Sequence, residues 1–138
     1  MPKIENSELL EKIYGTWPSF HDAEIHELKL SRIGITTGPF LDLVVHVFQT
    51  TRQIDDKGYF KTINNYLVTI RFEKIENLKL EDFNHQNVLW DLDIKEAEDN
   101  NVFEVNIETS YGCWGSFICE KIKVVEANLS ENGKVNTN

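Results

Sequence analysis

The order of apolar and polar positions divides the chain into one short helical stretch followed by a long run of strands. Leu9, Leu10, Ile13 and Tyr14 recur at a helical period, with Asn6 or Ser7 ahead of them as a cap and Gly15 behind them as a stop. This predicts an amphipathic helix over residues 8 to 14. From Asp22 onward the period changes to two, and six strands are predicted at about 22–32, 39–50, 65–74, 88–95, 102–109 and 116–126. The intervals between them are too short for crossover helices, so the sheet is expected to be antiparallel.

Within these strands the alternation assigns faces. Tyr66, Val68, Ile70 and Phe72 alternate with Leu67, Thr69, Arg71 and Glu73, and Phe103, Val105 and Ile107 repeat the pattern, so both segments bury one face. The stretch FLDLVVHVF is apolar at both parities, which predicts a central strand covered on both sides, with the helix as the second cover. In the first strand Ala23 and Ile25 hold one parity but Leu28 and Leu30 the other, which predicts a β-bulge near His26 and Glu27. The expected class is α+β: an N-terminal helix packed on a curved, mainly antiparallel sheet of about six strands. A single domain is expected over residues 1–127. Residues 128–138 contain two apolar positions in eleven and are expected to be a frayed polar tail.

A chain of 138 residues suits one core. Its 23 acidic residues against 14 Lys and Arg give a net charge of -9, which repels nucleic acid and anionic membrane and would steer a basic protein toward it. The first fifteen residues lack an apolar signal core, and no segment approaches the roughly 20 apolar residues of a membrane span, so a cytoplasmic location is expected. Cys113 and Cys119 match no zinc or redox spacing and are expected as reduced, buried thiols.

Chemistry-bearing side chains concentrate in WPSFHDAEIH, residues 17 to 26. On an extended backbone Asp22, Glu24 and His26 share one face and could converge on a metal ion, while His21 points the other way but could form an acid–base pair with Asp22 or Glu24. The two histidines lie five apart, which is not the helical HExxH spacing. The alternative is structural: Glu24 and His26 on a solvated strand face, with His21 and Asp22 hydrogen-bonding the backbone of the turn that enters the sheet. Ser19 lacks a nucleophile elbow, Ser116 lacks a nearby base, and YGCWGS has no phosphate-loop spacing and reads as a turn or bulge before the last strand. No catalytic residue, metal or cofactor is therefore assigned.

Seven acids and Lys95 alone occupy residues 91 to 108, a net of −6. This is either a solvated hairpin or a surface that docks a basic protein. In the second case Asp91, Asp93, Glu96, Glu98 and Asp99 are the candidate contacts, and Trp90 or Trp114 is the nearby aromatic anchor.

The run IYGTWPSFHDAEIHELKLSR, residues 13 to 32, resembles the N-terminal signature of the immunity protein 50 family of bacterial polymorphic toxin systems, with Trp17, Pro18, Phe20, His21, Asp22, Ala23 and Glu24 at the matching positions. The resemblance implies a cytoplasmic, non-enzymatic protein that binds the toxin encoded beside it, and it carries over no catalytic residue. A basic nuclease is the toxin that would best suit the acidic segment. A small metal-binding protein or enzyme built on His21, Asp22, Glu24 and His26 is the rival reading. A module that self-associates through a strand edge is the third.

Overall fold

Alternation sets one wall of the core: Leu41, Leu43, Val45 and Val47 face Val68, Ile70 and Phe72 across an antiparallel register, and all seven are buried. A computed structural model describes residues 3–33, 38–98, 101–131 and 134–135. Helix α1 (Glu8–Tyr14) is followed by β1 (Glu24–Ser31), β2 (Phe40–Ile54), β3 (Phe60–Glu73), β4 (Glu76–Glu81), β5 (Val88–Glu96), β6 (Phe103–Tyr111), β7 (Trp114–Cys119) and β8 (Lys121–Glu131). A two-residue strand, β9 (Lys134–Val135), pairs with the end of β8.

The sheet order is β4-β7-β6-β5-β1-β2-β3-β8-β9. Its two flanks are covalently continuous, because β7 passes into β8 through Glu120 and β3 into β4 through Lys74 and Ile75. One long ribbon, β3–β4 against β8–β7, therefore bends and carries the sheet from one half to the other, as at the corner of an orthogonal sandwich. The corner is fastened where the Glu120 amide donates to Glu73 O at 3.0 Å, and Lys74 takes a left-handed φ of 54° there. Across the bend the rings of Phe72 and Phe117 meet edge to face at 5.0 Å, so both halves share one core.

Among the described residues eight strands of six residues or more thus replace the expected six, and with one small helix beside them the class is mostly β. Two physical features account for the difference. The expected strand at 116–126 changes inward parity at Glu120, from Phe117 and Cys119 to Ile122 and Val124, which is the corner itself. Strand β4 has only Leu78 and Leu80 to turn inward and is otherwise charged or polar, as suits a protected edge. β8 also runs on to Glu131, four residues into the stretch expected to fray, and Ser130 is buried. The bulge predicted in β1 is present at His26, between Ile25↔Val45 and Glu27↔Val44. YGCWGS does turn at Gly112 (φ 90°), but into β7 and not into the last strand.

The helix forms where expected and ends on Gly15 at φ 83°, whose amide bonds Glu11 O at 2.8 Å. It does not cover the outer face of β2. Leu10 and Tyr14 are buried in the same core as Val45 and Val47, so the helix closes one end of the inner face. The outer apolar positions of β2 are covered instead by flat polar neighbours: Arg71 stacks on Phe40 at 4.4 Å and His46 tilts against Phe48 at 5.3 Å. Arg71 also binds Asp42 through two hydrogen bonds of 2.8 and 2.9 Å, which neutralises the buried carboxylate.

Tyr14 anchors the helix. Its hydroxyl lies 3.2 Å from Val47 O and 2.8 Å from Asn64 O, at the bulge where β2 and β3 change register. Replacing Tyr14 by Phe leaves those carbonyls short of a donor and should cost about 1–3 kcal/mol, measured by urea unfolding. Burial, followed by the nearby Tyr66, raises the Tyr14 pKa above its ordinary 10.0. The folded state therefore holds the phenolic proton more tightly, a contribution complete below that value and lost as pH climbs past it. Alkaline titration should destabilise the native protein more steeply than Tyr14→Phe. Burial also raises both thiols, Cys119 to about 12, so neither should react with a thiol reagent at mildly alkaline pH until the protein is unfolded.

Candidate functional site

The junction from α1 into β1 is built by two residues in left-handed conformations, Phe20 at φ 61° and Asp22 at φ 68°. Asp tolerates that region, whereas a bulky aromatic residue does so only when its surroundings hold it there. Phe20 is held by burial and by an edge-to-face contact with Trp17 at 5.5 Å. Pro18 lies between the two rings in sequence and biases Trp17 toward an extended backbone. Together with Tyr14, Val47 and Phe48, these residues line a cleft of about 320 Å³.

The turn amides are satisfied by partners other than the His21 and Asp22 side chains. Ser19 Oγ accepts from the His21 amide at 3.3 Å, Phe20 O from Ala23 at 3.0 Å, and Leu89 O from Asp22 at 2.9 Å. Leu89 donates back to Ala23 O, and Ile25 donates to Asn87 O, each at 2.8 Å. These bonds seam β1 to β5, whose ladder otherwise holds only Glu24↔Val88. The His21 ring instead packs edge-on against Trp90 at 4.8 Å and places Nδ1 3.2 Å from Trp90 O. Asp22 is exposed and lies 3.8 Å from His21 Nε2.

Glu24 and His26 follow a separate course. Glu24 is paired opposite His46, and the His26 ring stands 6.0 Å from that of His46, which bonds Asn65 Oδ1 at 2.9 Å. His21 and His26 thus have different neighbours. Among the described residues no three His, Cys, Asp or Glu side chains gather as a metal ion would need.

The acidic segment separates into two places. Leu92, Val105 and Ile107 are buried, so Asp91, Asp93, Glu104 and Glu108 occupy the outward face of the β5–β6 pair. Asp91 stands directly opposite Glu108, and Lys95 Nζ lies 3.4 Å from Asp93. Glu96 has the other parity and lines a pocket with Lys3, Glu5 and Lys121, while Glu98 is exposed in the turn. Asp99 lies outside the described residues. Trp90 is 60% exposed at a bulge beside Asp91. Trp114 lies two strands away, with Lys79 over its ring at 5.1 Å and its Nε1 donating to Asp82 at 3.2 Å.

The structure therefore joins Trp90 to the signature through His21 and groups Asp91 and Asp93 with two acids not expected in the site, Glu104 and Glu108. Antiparallel parity across the 91–108 hairpin is the signal that finds them. Asn87 is a further residue that pattern reading passes over. It is buried, and its Oδ1 accepts from Asn84 N and Cys113 N at 3.1 and 2.9 Å, which holds the loop before β5 to the β6–β7 turn.

If the junction is structural, Phe20→Ala should cost about 3–5 kcal/mol in chemical denaturation. Asp22→Asn keeps a residue at ease with positive φ and should change stability by less than about 0.5 kcal/mol.

Comparison with curated proteins and with solved structures returned no match. The family model described as immunity protein 50 matches residues 6–129, from the start of the helix region to Leu129, where β8 stops pairing with β3. With the signature and nearly the whole sheet inside that match, the chain belongs to the immunity protein 50 family.

Proposed function

We propose that the protein neutralises a cognate toxin domain by stoichiometric binding, without catalysis, through the outward β5–β6 face and Trp90. Family membership supports an immunity protein with a toxin as its partner. The observation that carries the choice of surface is the register Asp91↔Glu108. Like charges directly opposite on a sheet destabilise it, and a protein with no use for the arrangement gains by replacing either one.

The chemistry of the face favours a basic partner. Four carboxylates with one lysine attract cations over the Debye length and reject acidic surfaces. Trp90 adds an apolar group of the kind that anchors interfaces, already oriented by His21. A nuclease toxin, whose groove must attract phosphates, would present the matching cations, and the encounter is placed in the cytoplasm of the producing cell.

Glu108→Lys turns the like-charge pair into an opposite-charge one. It should raise stability by about 0.2–1 kcal/mol while weakening protection. Reversal of Asp91, Asp93, Glu104 and Glu108 together should abolish both growth rescue and co-purification on co-expression with the adjacent toxin, with the circular dichroism spectrum unchanged. Full rescue by the fourfold variant would eliminate this face.

A further inference from the structure

Two features lie away from the β5–β6 face. The β2–β3 hairpin projects as an arm: beyond Gln49 and before Asn65 neither strand has a second neighbour among the described residues. Ile54, Tyr59, Phe60 and Ile63 on this arm are each at least half exposed. The arm is nevertheless well built. Asp55 Oδ1 accepts from the amides of Lys57 and Tyr59 at 2.9 Å, Thr51 Oγ1 donates to Lys61 O at 2.8 Å, and Asn64 donates to Gln49 at 2.6 Å. An ordered ribbon holding four large apolar groups in water, with Arg52, Lys57 and Lys61 outnumbering Asp55 and Asp56 at its turn, is a surface made for contact.

The second feature is a slot in the wall of the sheet. β1 is paired to β2 along its length, but after Ile25 its other edge has no partner among the described residues, and β4 likewise pairs only with β7. Between these edges runs an apolar groove of about 230 Å³ lined by Leu28, Leu30, Leu80 and Phe83, with Glu81 and Asp82 at its side and no cation in its lining. Leu30 and Phe83 are each 53% exposed. An unpaired edge beside an apolar groove is what an added strand requires.

We infer that the occupant of the slot is the arm of a second copy of this chain. The arm supplies what the slot lacks: an extended strand with a free edge, apolar side chains, and cations for Glu81 and Asp82. The lengths agree, since the six residues of the β1 edge from His26 to Ser31 and the six of Phe60–Asn65 each extend about 20 Å. Reciprocal exchange of arms uses both surfaces of both molecules and closes a two-fold dimer, whereas an acidic or purely polar partner would leave the arm's apolar groups or the slot's carboxylates unmatched. The toxin has no part in this association.

Sedimentation and light scattering on the purified full chain, without toxin, from micromolar to millimolar concentration, test it. A dimer should grow with concentration. Phe60→Asp in the arm and Leu30→Asp in the slot should each raise its dissociation constant by about tenfold or more while the melting temperature stays near that of the parent. Lys61→Glu should weaken the dimer, and Glu81→Lys with Asp82→Lys in the same chain should restore it. A chain that remains monomeric throughout, or a dimer indifferent to either the arm or the slot substitution, overturns the inference, as does an arm whose only measurable partner is the toxin.

Discussion

The seam between β1 and β5 holds the two halves of the sheet in one register, and it is only a few backbone hydrogen bonds long. Asp22, Ala23 and Ile25 meet Leu89 and Asn87 there because Phe20 and Asp22 adopt left-handed conformations that swing the chain from the helix into the sheet. Burial of Phe20 against Trp17 offsets the strain of its backbone. At the opposite corner the halves are joined covalently through Glu120, so the seam decides whether the sheet closes around one core.

This gives the WPSFHDAE signature a physical meaning. Trp17 and Phe20 supply the packing, Pro18 the extended entry, Asp22 a residue at ease with positive φ, and Ala23 a buried position that is 1% exposed. His21 reaches outward and orients Trp90, beside the acidic pair. The signature that shapes the fold thus also touches the face proposed for recognition.

Much of the architecture was legible from side-chain periodicity. The helix, its glycine stop, the buried faces of β2, β3 and β6, and the bulge at His26 all follow from local spacing, because each is decided by the residues that form it. The β4 strand and the corner at Glu120 were not, since an edge strand needs few apolar residues and a bend needs only a one-residue change of parity. The His21–Trp90 contact spans 69 residues and has no local signal. The acidic segment was legible as a count of charges, but its division into an outward face and a separate pocket depends on register across the hairpin, which places Glu104 and Glu108 with Asp91 and Asp93 and removes Glu96.

The proposed neutralisation requires the toxin to sit on that outward face. Carbodiimide labelling of carboxylates, read by mass spectrometry with and without purified cognate toxin, measures this directly. Asp91, Asp93, Glu104 and Glu108 should lose reactivity in the complex while Glu8 and Glu11 on the helix keep theirs. Unchanged labelling of the four acids in a stable complex would contradict it.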